Sequence, residues 1–277
     1  MNGHIVKSNG AIEDFSPEKI IDSLIRSGTS KKQAENAFNN IRSEVHDGMS
    51  TEDIYQMALK HLHTVEHKLA LKYSLKKAMM GMGPHGYIFE RYIARILSKY
   101  GYQTKVSEML KGCCVDHEVD VVAKKDNLIF FVECKYHNHR GTYSDVKTAL
   151  YIHARFMDIE KALRKKSDEK KHYHGWLVTN TKCSTDAIKY ASCVKLKILA
   201  WQYPEEKNLQ YYIEEKKLYP ISILTSLKKK QKEVLFDSDI LLVQELVALD
   251  GQDIMRMLSI NDRIAFKILD EIDLLLG

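Results

Sequence analysis

The chain has 277 residues, which exceeds the roughly 100–200 residues of a typical domain and favours two or three domains. Hydrophobic residues make up 44% of it and charged residues 29%, a composition that indicates globular protein and excludes long disordered tracts. The formal net charge of +5 is compatible with nucleic acid as a partner, but equally with an ordinary soluble enzyme. The chain opens with no charged-then-apolar leader, and its apolar runs are too short to span a bilayer, so we expect neither secretion nor a membrane anchor.

The five cysteines fit neither paired metal hooks nor a redox Cys-x-x-Cys motif. Their spacing fits reduced thiols, which are typical of a cytoplasmic protein. We therefore expect a cytoplasmic location.

The N-terminal segment predicts a β-hairpin followed by helices. Two short runs, 4–7 and 11–15, flank Ser8-Asn9-Gly10, and Asn-Gly is a strong hairpin signal because both residues tolerate positive φ. Ser16-Pro17 then predicts a helix start, with serine as the N-cap and proline in the first turn. Apolar spacing predicts three further helices, at 30–46, 50–62 and 65–80. The segment 81–86 contains three glycines and a proline, and we place the first domain boundary there, giving a first domain of 1–84.

The next stretch changes from helical to alternating periodicity. A helix is predicted at 87–100, and its apolar face includes Glu90, a carboxylate that should have a partner there. Strands at 118–122 and 128–135, joined by a turn at 124–127, form a predicted hairpin. Helices and strands then alternate, which predicts an α/β sheet domain over 85–204. The later elements are a helix at 144–166, a strand at 175–180, a helix at 184–193 and a strand at 197–201.

One strand of this domain carries the residues typical of a metal-dependent active site. Glu133 and Lys135 are two residues apart and project from the same face of their strand, whereas Cys134 faces the other way. Folding of the hairpin would bring Asp120 beside Glu133. Two carboxylates and the backbone carbonyl of Cys134 could hold Mg²⁺ or Mn²⁺, and Lys135 could orient a water or stabilise phosphate charge.

Two alternatives to this site stay open. A Glu-x-Lys triplet alone is weak support, and Glu133 with Lys135 could form a surface salt bridge on an edge strand. The same triplet begins at Glu66, Glu169, Glu205, Glu214 and Glu215. His137 and His139 could instead mark a zinc site, although the loop 136–140 more readily suits contact with a DNA backbone. Lys147 or His153 of the following helix could also contribute to the site.

Four blocks of the central segment, covering about residues 86–203, resemble the Mrr-like branch of the PD-(D/E)xK nucleases. The blocks are Gly86-Tyr87-x-Phe89-Glu90-Arg91-Tyr92, Val119-Asp120-Val121-Val122, Val132-Glu133-Cys134-Lys135 and Gly175-Trp176-Leu177-Val178-Thr179-Asn180. The resemblance implies a restriction-endonuclease-like α/β core with a central mixed sheet. It also implies an active centre made of Glu90, Asp120, Glu133 and Lys135, with DNA as the substrate.

The first 80 or so residues resemble an ATP-cone, the allosteric nucleotide-binding module of ribonucleotide reductases. The matching residues are Val6-Lys7-x-x-Gly10, Phe15, Lys19-Ile20, Thr51-x-Asp53-Ile54, Tyr73 and Lys76-Lys77. The resemblance implies a mainly helical domain that binds ATP or dATP through Lys7, Glu13, Lys19, Thr51 and Lys77. Lysines at a hairpin and at a helix start suit phosphate, because positive charge and free N–H groups converge there. A helical domain that contacts DNA or dimerises through solvent-facing lysines is the alternative.

The C-terminal region, 205–277, is predicted to be small and helical. Leucine and isoleucine recur at helical spacing from 237 to 275, which indicates at least two packed helices. Their apolar faces fit plain core packing, a DNA clamp or an oligomer contact, whereas the run Lys228 to Lys232 indicates a solvated charged turn.

The parts together predict a multidomain α/β protein that hydrolyses DNA under nucleotide control, in restriction or phage defence, as a homo-oligomer. The rival interpretations are a nucleotide-sensing DNA-binding regulator with a degenerate nuclease fold, and an RNA-processing or repair nuclease.

Overall fold

A computed structural model describes residues 3–7, 10–26, 29–65, 67–139, 141–165 and 171–277. Several predicted features lie outside these ranges: the turn residues Ser8 and Asn9, the Glu-x-Lys triplets at Glu66 and Glu169, Arg140 and the helix end at Lys166. The chain divides into two compact units, one of Met1–Gly81 with Ile221–Gly277 and one of Met82–Pro220. Within the described residues, every helix is too short or too polar to cross a membrane.

The first unit begins with the predicted hairpin and continues with helices. Its N-terminal elements are β1 (His4–Val6), β2 (Ile12–Asp14), α1 (Pro17–Arg26), α2 (Lys31–Ile41), α3 (Thr51–Val65), α4 (His67–Tyr73) and α5 (Leu75–Met80). Strands β1 and β2 pair antiparallel. The helices that follow them pack around a core that includes Leu24, Phe38 and Ile54. The single helix expected at 65–80 is in fact two helices, since the chain breaks at Ser74, whose hydroxyl donates to the Leu71 carbonyl.

The second unit is the α/β domain. Its elements are α6 (Tyr87–Lys99), β3 (Gln103–Lys111), β4 (Asp116–Lys125), β5 (Leu128–Lys135), β6 (Tyr143–Ser144), α7 (Val146–Arg164), β7 (His172–Thr179), β8 (Lys182–Cys183), α8 (Thr185–Val194), β9 (Lys197–Leu199) and α9 (Leu209–Glu215). The five long strands form a mixed sheet in the order β3-β4-β5-β7-β9. Strands β3, β4 and β5 pair antiparallel, whereas β5, β7 and β9 pair parallel.

Strand β5 therefore lies in the middle of the sheet. Helix α6 packs against β3 and β4, and helix α7 packs against β7 through Phe156 and Ile159. Gly175 permits this packing, because a Cβ there would lie 2.8 Å from Leu196 Cδ1 and 3.2 Å from Phe156 Cγ. Strand β3 was not predicted: its side chains are mostly exposed and only three of its nine residues are apolar, so it lacks the apolar alternation that identifies a half-buried strand.

The C-terminal helices belong to the first unit. They are α10 (Lys229–Asp237), α11 (Val243–Val247), α12 (Gly251–Leu258) and α13 (Asp262–Leu276), preceded by a short 3-10 turn at Ile221–Ile223. Helix α13 packs against α4, and the Ser222 hydroxyl donates to the Ala78 carbonyl. The expectation of a solvated turn at Lys228 to Lys232 is wrong, because these residues begin α10 and Lys232 Nζ donates to the Ser222 carbonyl at 2.8 Å.

Candidate functional site

Asp120 and Glu133 lie side by side on neighbouring strands. The register between β4 and β5 ends where Val121 pairs with Val132, so Asp120 and Glu133 lie next to the last paired residues of two neighbouring strands. Asp120 Oδ2 accepts a hydrogen bond from the backbone N–H of Cys134 at 2.7 Å, which fixes the carboxylate against the end of β5. The hairpin thus brings two acidic side chains to one point.

Glu133 is the most strongly anchored residue of this group. Its side chain is 10% exposed, and its two oxygens accept from two cations, Lys135 Nζ at 2.6 Å and Arg155 Nη1 at 2.5 Å. Because β5 is central and Glu133 is buried, the interpretation as a solvated edge-strand salt bridge is wrong. The Cys134 side chain is buried as well, and burial raises the pKa of its thiol well above the usual range.

Glu90 reaches the same region from the first turn of α6. Burial raises its pKa to about 7, with further contributions from the charges of Asp120, the exposed Glu118 and Glu133. Burial and the neighbouring Glu133 likewise raise the pKa of Asp120 to about 6. Burial, with the negative charge of neighbouring carboxylates added to it, therefore disfavours the ionised forms of Glu90 and Asp120.

Arg155 is the residue of this site that sequence reasoning missed. It lies on α7 between the buried Ile152 and Ile159, and its side chain is only 15% exposed. A lone arginine at the apolar spacing of a helix is costly without a partner, so this position carried a detectable signal. The two residues left open on this helix do not contact the group: Lys147 is exposed, and the His153 ring pairs with the Tyr190 hydroxyl.

The loop after β5 is held by the end of β7. Thr179 Oγ1 donates to the Lys135 carbonyl at 2.7 Å. The Asn180 side chain accepts from the His137 N–H and donates to the His137 carbonyl. His137 is half-buried and its pKa is lowered by burial, whereas His139 is exposed. Across the described ranges, no three His, Cys, Asp or Glu side chains are arranged as a metal cluster, so a site for a cation would need backbone or water ligands as well.

The first unit brings together three of the five residues predicted to bind nucleotide. Glu13 Oε2 lies 2.5 Å from Lys7 Nζ and 3.1 Å from Lys19 Nζ. The Val6 N–H donates to the Met49 carbonyl, and Val6 also bridges to Ser50, which places Lys7 beside the first residue of α3, Thr51. Lys77 Nζ lies 3.5 Å from Glu52 Oε1 on the same helix start. Lys7 and Lys77 thus each lie near the N-terminal end of α3.

The folds define the class: a chain that combines an ATP-cone-like domain with a restriction-endonuclease-like α/β domain. The ATP cone domain family matches residues 3–78 and the restriction endonuclease family matches residues 84–205. A third family, described as AF1548-like, C-terminal, matches residues 219–276. The expectations of an ATP cone, of an Mrr-like endonuclease domain and of the α/β architecture are therefore confirmed.

Comparison with known proteins identifies the family of this chain. An uncharacterized protein of Archaeoglobus fulgidus is 34% identical over 189 residues, which is 67% of this chain and 100% of the relative. The crystal structure of AF1548, titled a protein of unknown function, is similar with a TM-score of 0.57 and 33% identity, covering 70% of this chain and 99% of that one. The MspJI restriction endonuclease in complex with a 27-mer oligonucleotide is far more distant, with a TM-score of 0.32 and 13% identity over 48% of this chain and 29% of that one. This chain belongs to the AF1548-like family.

Proposed function

We propose that the chain is a metal-dependent DNA endonuclease with an active centre of Glu90, Asp120, Glu133 and Lys135. The observation that carries this proposal is that Asp120 accepts from the Cys134 N–H at 2.7 Å, next to Glu133, which in turn accepts from Lys135 Nζ at 2.6 Å. Three carboxylates face two cations, Lys135 and Arg155. A divalent cation and the single negative charge of a phosphodiester would make this set neutral, so the donor set fits such a cation.

Mg²⁺ or Mn²⁺ would be held by Asp120, Glu133 and the backbone carbonyl of Cys134, because these hard oxygen donors suit either ion. When bound, the ion supplies positive charge at the scissile phosphate and makes a water more acidic. The chain's own groups orient the reactants. Cys134 N–H holds Asp120, Arg155 holds Glu133, and the Lys135 amine would orient water and stabilise phosphate charge.

Cleavage of supercoiled plasmid tests this proposal. Wild type with Mg²⁺ should cut, while Glu133→Ala and Lys135→Ala should lose at least about a hundredfold in rate. The matched controls are Glu205→Ala and Lys207→Ala, which alter an exposed Glu-x-Lys triplet of the same chain and should cut like wild type. Equal cutting by all variants would show a contaminant. No cutting by wild type under any metal or nucleotide condition would instead support a DNA-binding regulator.

We further propose that ATP or dATP binds at Lys7, Glu13, Lys19, Thr51 and Lys77 and controls cleavage. Lys7 and Lys19 converge within 3.1 Å of one carboxylate oxygen, beside the N-terminus of α3, an arrangement suited to a polyphosphate. Glu13 pairs with both lysines and offsets one of their two positive charges. A triphosphate would compete with this carboxylate for them, which provides a simple switch.

Two measurements test the nucleotide proposal. ATP or dATP should raise the melting temperature of wild type and of Lys31→Ala, an exposed control, but should have little effect on Lys7→Ala or Lys19→Ala. Titration of ATP against plasmid cleavage should then change the rate in wild type and not in Lys19→Ala. An unchanged melting curve for wild type would contradict nucleotide control.

Restriction or phage defence in the cytoplasm, by a homo-oligomer, is the biological setting that we propose for this activity. The unpaired state of all five cysteines supports a reducing compartment.

A further inference from the structure

A cavity of about 150 Å³ lies inside the α/β unit, away from the carboxylate group. It begins at the C-terminal end of α6, and Tyr100 at that end is about 15 Å along the helix from Glu90, at 1.5 Å per residue. Its lining residues are Ile96, Leu97, Tyr100, Tyr102, Lys125, Trp176, Leu199 and Tyr212. Close-packed interiors contain few voids larger than a water molecule, so an opening of this size is a candidate ligand site.

The walls of the cavity are aromatic. The Tyr100 and Tyr212 rings meet edge to face with centroids 4.8 Å apart, and the Tyr102 and Trp176 rings are tilted with centroids 6.2 Å apart. Such walls favour a flat aromatic guest, through stacked and edge contacts. A dry cavity of about 150 Å³ admits benzene, so this one has room for a single ring rather than a fused pair.

The charges around the cavity exclude a cationic guest. Lys125 Nζ lies 5.2 Å from the Tyr102 ring centroid and donates to the Tyr100 carbonyl at 3.0 Å. Lys216 Nζ lies 4.3 Å from the Tyr100 ring centroid, and Lys197 Nζ lies 5.8 Å from that of Trp176. The nearby carboxylate, Glu215, already accepts from the hydroxyls of Tyr100 and Tyr211. Three amines against these rings therefore favour a guest that carries negative charge.

The cavity also offers neutral hydrogen-bond donors. Burial raises the pKa of Tyr102 and of Tyr212, so both phenols keep their protons at neutral pH. A guest with one ring, ring carbonyl groups and a negative charge matches these features. We propose that the cavity is a binding site for a pyrimidine nucleotide, with the base between the aromatic walls and the phosphate at Lys125 and Lys216.

Tryptophan fluorescence gives a direct test, since Trp176 forms part of the wall. The chain has two tryptophans, so Trp201→Phe leaves Trp176 as its single reporter. We would combine this change with Lys19→Ala to remove the proposed N-terminal nucleotide site. Cytidine monophosphate should then change the emission saturably, cytidine should bind about tenfold more weakly because it lacks the charged group, and adenosine monophosphate should give no saturable change.

Two variants tie the response to this cavity. Leu199→Phe fills it and should abolish the response, with circular dichroism confirming that the protein is folded. Lys125→Met should weaken the binding of cytidine monophosphate about tenfold and leave the binding of cytidine unchanged. This variant tests the cavity even if Leu199→Phe does not fold. The proposal is overturned if cytidine monophosphate gives no saturable change at millimolar concentration. It is also overturned if the response survives Leu199→Phe, or if adenosine monophosphate binds as tightly.

Discussion

Arg155 of helix α7 and Glu133 of strand β5 form a buried ion pair, with Nη1 2.5 Å from Oε2. Both side chains are at least 85% buried, at 15% and 10% exposure. The other oxygen of Glu133 accepts from Lys135, so the orientation of this carboxylate depends on two different elements. Arg155 thereby acts as a positioning residue for the proposed active centre.

Replacing Arg155 should reduce cleavage without changing DNA binding. Arg155→Met leaves Glu133 with one cation instead of two, and we expect the rate of plasmid cleavage to fall by about a hundredfold. Arg155→Lys restores a charge but not the planar geometry, so it should recover part of the rate. Single-turnover cleavage and gel-shift binding measure the two effects separately.

The control for this variant is Arg164→Met on the same helix, where the arginine is 58% exposed and pairs with Glu160. It should cut like wild type. Partial recovery by Arg155→Lys distinguishes a positioning role from a loss of folding. A wild-type rate in Arg155→Met would show that Glu133 needs no support from α7.

The hairpin that carries Asp120 and Glu133 could be predicted because its signals are local. Partly alternating apolar residues marked β4 and a continuous apolar run marked β5, and the predicted turn contains Asp126, whose φ of +52° is of the kind that turn residues adopt. Arg155 depends instead on the packing of a helix about twenty residues further along the chain. Its partner could not be derived from spacing alone.

The association of the C-terminal helices with the first unit was not predictable for the same reason. Leucine spacing identified helices there, but the partner of an apolar stripe depends on the tertiary fold. The half-buried Lys232 shows the limit of composition: a run of lysines predicts a solvated segment, yet Lys232 Nζ donates to the Ser222 carbonyl. Only the structure shows that Lys232 differs in exposure from the neighbouring lysines.

Asp120→Asn should separate metal binding from folding. In the metal-free protein it removes one of the mutually repelling carboxylates but keeps an oxygen for the Cys134 N–H, so the free energy of unfolding should rise by about 1 kcal/mol at pH 8. Saturating Mg²⁺ should raise the melting temperature of wild type and have little effect on this variant. Asp116→Asn, at an exposed position of the same strand, is the control and should keep the full response. If Asp120→Asn responds to Mg²⁺ like wild type, the assignment of Asp120 as a ligand is wrong.

Asp158 should make the stability of the α/β unit sensitive to acid. Its carboxylate accepts from His117 Nε2 at 2.8 Å and from the Cys114 N–H at 2.9 Å, and the His117 contact is the main cause that lowers the pKa of Asp158. A lowered carboxylate pKa stabilises the fold above the unfolded value of about 4, and this contribution is lost as the pH falls through the folded value. Asp158→Asn should therefore melt earlier than wild type at pH 7 and lose less stability between pH 5 and pH 3. Melting curves followed by circular dichroism at these pH values test this, and parallel losses in the two proteins would contradict it.

Glu271 should be the main polar anchor of helix α13. Its side chain is buried, with 1% exposure, and accepts from the Thr225 hydroxyl and from the Ser226 N–H and hydroxyl. Glu271→Ala removes the acceptor of these donors, of which the Ser226 groups are half-buried, and should lower the free energy of unfolding by about 1–3 kcal/mol. Asp270→Ala changes an exposed neighbour on the same helix and should cost less than about 0.5 kcal/mol. Urea denaturation followed by far-ultraviolet circular dichroism compares the two variants. Equal midpoints would mean that apolar packing alone holds α13 in place.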